Sequence, residues 1–162
     1  MSIMEIKKKL KYVYWSLFNR RPQKLLSMDI QLLYWFRDHK FKRSTSFQQD
    51  KIFYKFNCDI NRHTNIHHTV VFPHPVGIVI GAGVTVCENA IIHQNVTLGM
   101  KYNESKDFGV IIGAGTRICA NSVIVGNVTI GKNCIIGANS IITKDVPDNT
   151  VVVGANKIIE KN

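Results

Sequence analysis

The sequence predicts a mainly β protein: a parallel β-helix folded as a triangular prism, preceded by a short N-terminal α-helical cap. Three observations predict it. From Ile78 to Thr143 an aliphatic residue recurs every six positions, at Ile80, Val86, Ile92 and Leu98, and again from Ile112 through Ile118, Ile124, Ile130, Ile136 and Ile142. The residue two places earlier is usually Val or small (Val84, Ala90, Val96, Val110, Val128, Cys134), and Gly81, Gly99, Gly113, Gly131 and Gly137 follow the aliphatic position, where a corner needs a small residue. The first fifty-odd residues show instead the three-and-four spacing of amphipathic helices. A fixed internal period marks a repeat architecture. Six residues make one flat face, three faces make one turn, and each turn stacks an aliphatic side chain on the one before. Alternating strands of a sandwich are the competing fold, but ten hexads in two registers are not their pattern.

At 162 residues, 45% hydrophobic and 20% charged, the chain has the composition of one soluble domain with a small appendage. No apolar run approaches the ~20 residues that span a bilayer. The start, MSIMEIKKKLKYVYWSLFNRRP, sets lysines ahead of an apolar patch. That patch is short and aromatic and no small-residue cleavage site follows, so a signal peptide is not expected. The expected location is cytoplasmic, with the inner face of the membrane as a second placement. Cys58, Cys87, Cys119 and Cys134 show no CxxC pairing and predict buried, reduced thiols rather than disulfides or zinc. A formal net charge of +10, from 21 Lys and Arg against 11 Asp and Glu, attracts anions without choosing among nucleic acid, lipid and phosphorylated small molecules.

Taken in order, residues 3–21 read as a basic amphipathic helix stopped near Pro22. Ser27 is the expected N-cap of a second helix, with Asp29 in its first turn. A third stretch, SFQQDKIFYKFN, leads to Cys58. Together they make a basic helical cap over residues 1–57. Its Trp and Phe residues allow a peripheral membrane contact; the alternative is packing of Trp15 and Trp35 on the first coil or on a sister subunit. Nucleic acid is not expected as a partner, because no recognised module accompanies the charge.

The prism is assigned to residues 58–154, since Ile60, Ile66 and Phe72 also step by six, and residues 155–162 form a polar tail. The lattice slips twice. Phe72 to Ile80 is eight residues, two more than a hexad, and Leu98 to Ile112 is fourteen, read as two hexads plus two. Irregular segments on a rigid scaffold are where chemistry is usually carried. The first slip holds Phe72-Pro73-His74-Pro75-Val76-Gly77; the second holds Lys101, Tyr102, Asn103, Glu104, Ser105, Lys106 and Asp107. The last strand, Val151–Val153, leaves an edge that the tail or the helices should cover.

His74 stands between two prolines, which restrict the backbone and aim its imidazole. A neutral imidazole can take a proton from a hydroxyl and make it a nucleophile. Metal binding through His63, His67, His68 and His93 is the rival use. Their order differs from that of the prism-shaped gamma-class carbonic anhydrases, so no metal is expected. There is no P-loop, no nucleophile elbow and no GxGxxG at a strand-to-helix turn.

FPHPVGIVIG, IGAGTRICAN and IGKNCIIGANSIITKDVPDNTVVVG resemble the left-handed β-helix, hexapeptide-repeat acyltransferases over about residues 57 to 154. The likeness is to the serine acetyltransferase-like branch, which includes surface-polysaccharide O-acetyltransferases. It implies a left-handed β-helix, a homotrimer with sites between neighbouring prisms, and acetyl-CoA as co-substrate. It also implies His74 as general base, with Ala114, Ala138, Thr143 and Lys144 at the CoA. Asp59, His93, Lys101 and Tyr102 are the residues expected at the acceptor. The resemblance departs where Pro73 replaces an aspartate before the histidine, and where the loop from Met100 to Gly109 is short and lacks a histidine. The reading that follows is an O-acetyltransferase acting on a hydroxyl of a glycan or glycan precursor. Serine O-acetylation for cysteine synthesis is its alternative. A non-catalytic trimeric scaffold and a metal-bound hydratase are the readings from other classes.

Overall fold

A computed structural model of the chain describes residues 22–99, 109–155 and 157–159. The helix expected over residues 3–21, Trp15 included, lies outside the described residues.

Helix α1 (Pro22–Asp38) packs against α2 (Lys42–Phe56), and α2 leads directly into the first strand. Pro22 therefore lies in a helix rather than past the end of one. Proline suits a first helical turn, where its missing N–H has no partner to lose. Ser27 and Asp29 accordingly fall inside α1, and neither caps it. The Ser27 hydroxyl donates to the Val70 carbonyl at 2.9 Å instead. Asp29 is 1% exposed and takes Lys51 at 3.1 Å and Lys55 at 3.2 Å, which ties α2 to α1. Asp29→Ala is expected to lower the unfolding free energy by about 1.5–3 kcal/mol, the worth of hydrogen bonds to a charged group. A urea titration with an unmoved midpoint would show that these lysines are as well served by water.

Among the described residues, fourteen short strands follow in three sheets. Face A stacks β1 (Asp59–Ile60), β3 (Val79–Ile80), β6 (Thr97–Gly99), β9 (Val123–Val125) and β12 (Ile141–Ile142), all parallel. Face B stacks β2 (Asn65–Ile66), β4 (Thr85–Val86), β7 (Ile111–Ile112) and β10 (Thr129–Ile130). Face C stacks β5 (Ile91–Ile92), β8 (Arg117–Ile118), β11 (Ile135–Ile136) and β13 (Val151–Val153). The last strand, β14 (Lys157–Ile159), pairs antiparallel with β13 and covers the open edge of the final coil. The chain visits A, B and C in rotation, as hexads on a triangular prism require. The second residue of each pair turns inward, so Ile80, Ile92, Leu98, Ile112, Ile118, Ile124, Ile130, Ile136 and Ile142 are all buried, with Val84, Ala90, Val96 and Val110 beside them.

Coil length varies while register does not. Ile80 pairs with Leu98, a regular turn of three hexads, whereas Ile60 pairs with Ile80, two residues longer. Val86 pairs with Ile112, twenty-six residues on, and Ile130 bridges to Val146, sixteen residues on. The step from Leu98 to Ile112 is therefore one move from face A to face B with eight residues added, not two hexads plus two. Gly109 has φ +78°, and a Cβ there would stand 2.7 Å from the Gly83 carbonyl oxygen.

Asparagine, more than glycine, takes the left-handed corner positions. Asn89, Asn95, Asn121, Asn133, Asn139 and Asn149 all have φ between 54° and 60°, a conformation its short polar side chain tolerates. At the other end, α1 serves as a lid whose polar side chains take up backbone groups of the first coil. Gln31 donates to the Ile66 carbonyl at 3.2 Å, and Arg37 reaches the Arg62 and Thr64 carbonyls at 3.0 Å each. Tyr34 accepts from the Ile66 N–H at 3.1 Å. Leu26, Ile30, Leu33 and Ile52 complete the seal and are wholly buried. Of the two roles considered for the cap, packing on the first coil is the one seen in the described helices. None of them is long and apolar enough to cross a membrane. The four thiols are free; Cys58 and Cys134 are buried, but Cys87 and Cys119 are only partly so, less than the sequence suggested.

Candidate active site

The two extra residues of the first coil form a bulge on the edge between faces C and A, and the bulge carries His74. Pro75 is buried, Pro73 is half-buried, and His74 between them is exposed. Three backbone hydrogen bonds hold the segment. The Val76 N–H donates to the His74 carbonyl at 2.9 Å, Gly77 to Asn57 at 2.9 Å, and Asn95 to Val76 at 3.0 Å. Gly77 has φ +65°, and the Asn95 side chain occupies the place a Cβ would need. The imidazole thus stands on a rigid support while its ring stays open to an approaching hydroxyl.

His93, at the end of β5, faces it with ring centroids 6.4 Å apart and planes at 43°. Burial first, then the charges of Arg117 and His74, hold the His93 pKa below the ordinary imidazole value of 6.5. His93 is therefore neutral at neutral pH, with one N–H to donate and one lone pair to accept. Among the described residues no hydrogen bond fixes the His74 ring; Pro73, where the resemblance expects an aspartate, supplies none. Cys119 stands one coil below His93, and burial raises its thiol pKa, which keeps it from acting as a thiolate nucleophile.

The other expected residues divide among the three edges. Ala138 lies below His74 on the C–A edge, and Asp59 is exposed on the outer side of face A at β1. Ala114 lies on the B–C edge, at the corner after β7. Thr143 and Lys144 are exposed on the A–B edge, where the chain passes from β12 to Val146 two residues sooner than a regular hexad. Lys101 and Tyr102 lie outside the described residues. One chain therefore brings together His74, His93 and Ala138, but not Ala114 or the Thr143–Lys144 pair. No three His, Cys, Asp or Glu side chains among the described residues meet as a cation site.

Two residues on the His74 edge were not singled out by the sequence. Gln94 and Ala120 occupy the corner above Ala138; the Asn121 N–H donates to the Gln94 carbonyl at 3.1 Å and the Asn139 N–H to Ala120 at 3.0 Å. The Gln94 Oε1 is buried without a partner among the described residues. Ala120 lies one regular coil before Ala138 and Gln94 one long coil before Ala120, so reading the second slip as one hexad plus eight would have found Gln94.

Residues 109–144 match the bacterial transferase hexapeptide (six repeats) family. Over this segment the chain carries that family's hexapeptide repeat. It is 32% identical over 106 residues to a serine acetyltransferase of Haemophilus influenzae, a match covering 65% of this chain and 40% of that one. Among solved structures, a serine acetyltransferase in complex with cysteine superposes with a TM-score of 0.82 at 28% identity, over 91% of this chain and 58% of the other. The Brucella abortus serine acetyltransferase in complex with coenzyme A superposes with a TM-score of 0.81 at 25% identity, over 99% of this chain and 70% of the other. The hexapeptide coil is accordingly a left-handed β-helix, as the resemblance implied, and this chain spans about two-fifths of the length of the curated relatives it matches. The glycan hydroxyl expected as acceptor is overturned. That expectation leaned on the missing loop histidine, but the overall match of sequence and structure runs to serine acetyltransferases.

Proposed function

We propose that this hexapeptide-repeat chain is an O-acetyltransferase that moves the acetyl group of acetyl-CoA to the hydroxyl of L-serine. The observation that supports it most is His74, held open on the proline bulge beside neutral His93, in a chain whose relatives are serine acetyltransferases. In the proposed step His74 takes the hydroxyl proton as the serine oxygen attacks the thioester carbonyl. Backbone N–H groups at the coil corners stabilise the tetrahedral oxyanion. Its collapse breaks the carbon–sulfur bond, and the proton passes from His74 to the departing thiolate. O-acetylserine and CoA leave, with no covalent enzyme intermediate.

Acetyl-CoA would lie along a prism edge. Ala120 and Ala138 are small, so a pantetheine arm can pass close to the backbone below His74, while Thr143 and Lys144 would meet the far, phosphate-bearing end. The acceptor would lie between His74 and His93, with Asp59 near its ammonium. Because Ala114, Thr143 and Lys144 occupy other edges than His74, we propose a homotrimer in which an edge of one prism faces a different edge of the next.

Release of CoA thiol, followed with acetyl-CoA and L-serine on purified protein, tests the reading. Serine-dependent release well above acetyl-CoA hydrolysis is the expected result. A folded protein whose thiol release is indifferent to serine would overturn it.

A further inference from the structure

The outer surface of face C carries an almost wholly aliphatic column. Val71 bridges to Ile91, Ile91 pairs with Arg117, Arg117 with Ile135, and Ile135 with Val151. Arg117 is the one charged residue of the column, and its side chain is exposed. Among the described residues it has no ion pair and no side-chain hydrogen bond. A guanidinium presents five N–H donors in a rigid fork suited to a carboxylate, and no described residue fills it. The neighbouring column contains His93, whose N–H donates to the Ile118 carbonyl at 3.0 Å. In the parallel pair of β5 and β8 Ile91 stands opposite Arg117, so His93 lies diagonally across from it, near enough for the guanidinium charge to act on the imidazole. His74, His93 and Arg117 thus form an oblique line across the C–A edge, with the guanidinium at the end away from the bulge.

We propose that Arg117 takes the acceptor's carboxylate, with His93 between it and His74, so that the acceptor's hydroxyl comes to rest at the base. This deepens the serine reading and rests on it. It also gives the acceptor a charged anchor outside the loop between Gly99 and Gly109. Neutral His93 fits the position: it adds a hydrogen bond beside the guanidinium without a second positive charge, and Arg117 itself helps keep it neutral.

Steady-state kinetics of the full chain with L-serine and with L-serinamide, which lacks the carboxylate, test the assignment. Arg117→Gln is expected to raise KM for L-serine about tenfold or more, as loss of a hydrogen bond to a charged partner does, and to affect serinamide much less. The KM for acetyl-CoA should move little, and Arg117→Lys should recover part of the loss. By NMR the His93 ring of Arg117→Gln should titrate at higher pH than in the parent protein, since a nearby positive charge is gone. Equal losses with the two acceptors would overturn the proposal. So would an unchanged KM for L-serine, or a change confined to acetyl-CoA, which would put the guanidinium on a CoA phosphate. An active parent protein with an indifferent Arg117→Gln defeats this assignment alone, whereas a parent protein without serine turnover defeats the serine reading and this one together.

Discussion

His74→Ala is expected to slow acetyl transfer by ~10² or more, the usual worth of a positioned general base. The loss should fall on kcat, because the methyl group left behind cannot take the hydroxyl proton. The KM for acetyl-CoA should stay near its original value, since the small-residue edge below the bulge is untouched. The fold should survive: His74 is exposed, and the bulge is held by backbone bonds from Val76, Gly77 and Asn95. A circular dichroism melt run beside the kinetics makes this explicit. A folded His74→Ala protein with full activity would move the base elsewhere, and His93 would be the next residue to replace.

Ile112→Ala should have the largest effect on stability. Ile112 is fully buried in the middle of face B, pairing with Val86 above and Ile130 below. Truncating it removes transfer free energy and leaves a void between two coils that are fixed by their own ladders, so the site collapses poorly; about 2–5 kcal/mol is the range for such changes. For a chain of this size that is roughly 4–20 °C in Tm. In a solenoid each coil contacts only its neighbours, so a weak middle coil also loosens the coupling between the two ends. A melting temperature within a degree of the parent would show that the coils do not depend on their aliphatic columns. Face B lies away from the His74 edge, so serine-dependent activity below the transition should be retained.

The fold was legible because one physical requirement, an inward aliphatic residue every sixth position, repeats through Ile80, Val86 and their successors with almost no exception. The proline-held histidine was legible for the opposite reason, as a local break in that pattern. Other features were not. Pro22 reads as a stop or a start according to what precedes it, and local sequence does not decide. The lid formed by Gln31, Tyr34 and Arg37 depends on which coil carbonyls lie beneath α1, a long-range fact with no local signal. The fourteen-residue step allowed two divisions, and only the pairing of Val86 with Ile112 chooses between them. Arg117 looked like an ordinary charged residue in a hexad; its isolation shows only once Ile91 and Ile135 stand on either side of it. The acceptor was not legible, because one histidine missing between Met100 and Gly109 says less about it than the likeness of the whole prism to serine acetyltransferases.

Coils of sixteen, eighteen, twenty and twenty-six residues all return the chain to the same three inward columns. Length is therefore decoupled from alignment: the edges absorb additions and deletions while the interior never learns of them. Such a scaffold behaves like a rack with open slots. A segment of different size or composition can be set between Gly99 and Gly109 at a loop-closure cost that grows only slowly with its length, leaving the bulge of His74 and the aliphatic columns as they are. Acceptor preference can then drift among related prisms without any renegotiation of the core, which is one physical reason why so uniform a coil can serve differing hydroxyl substrates.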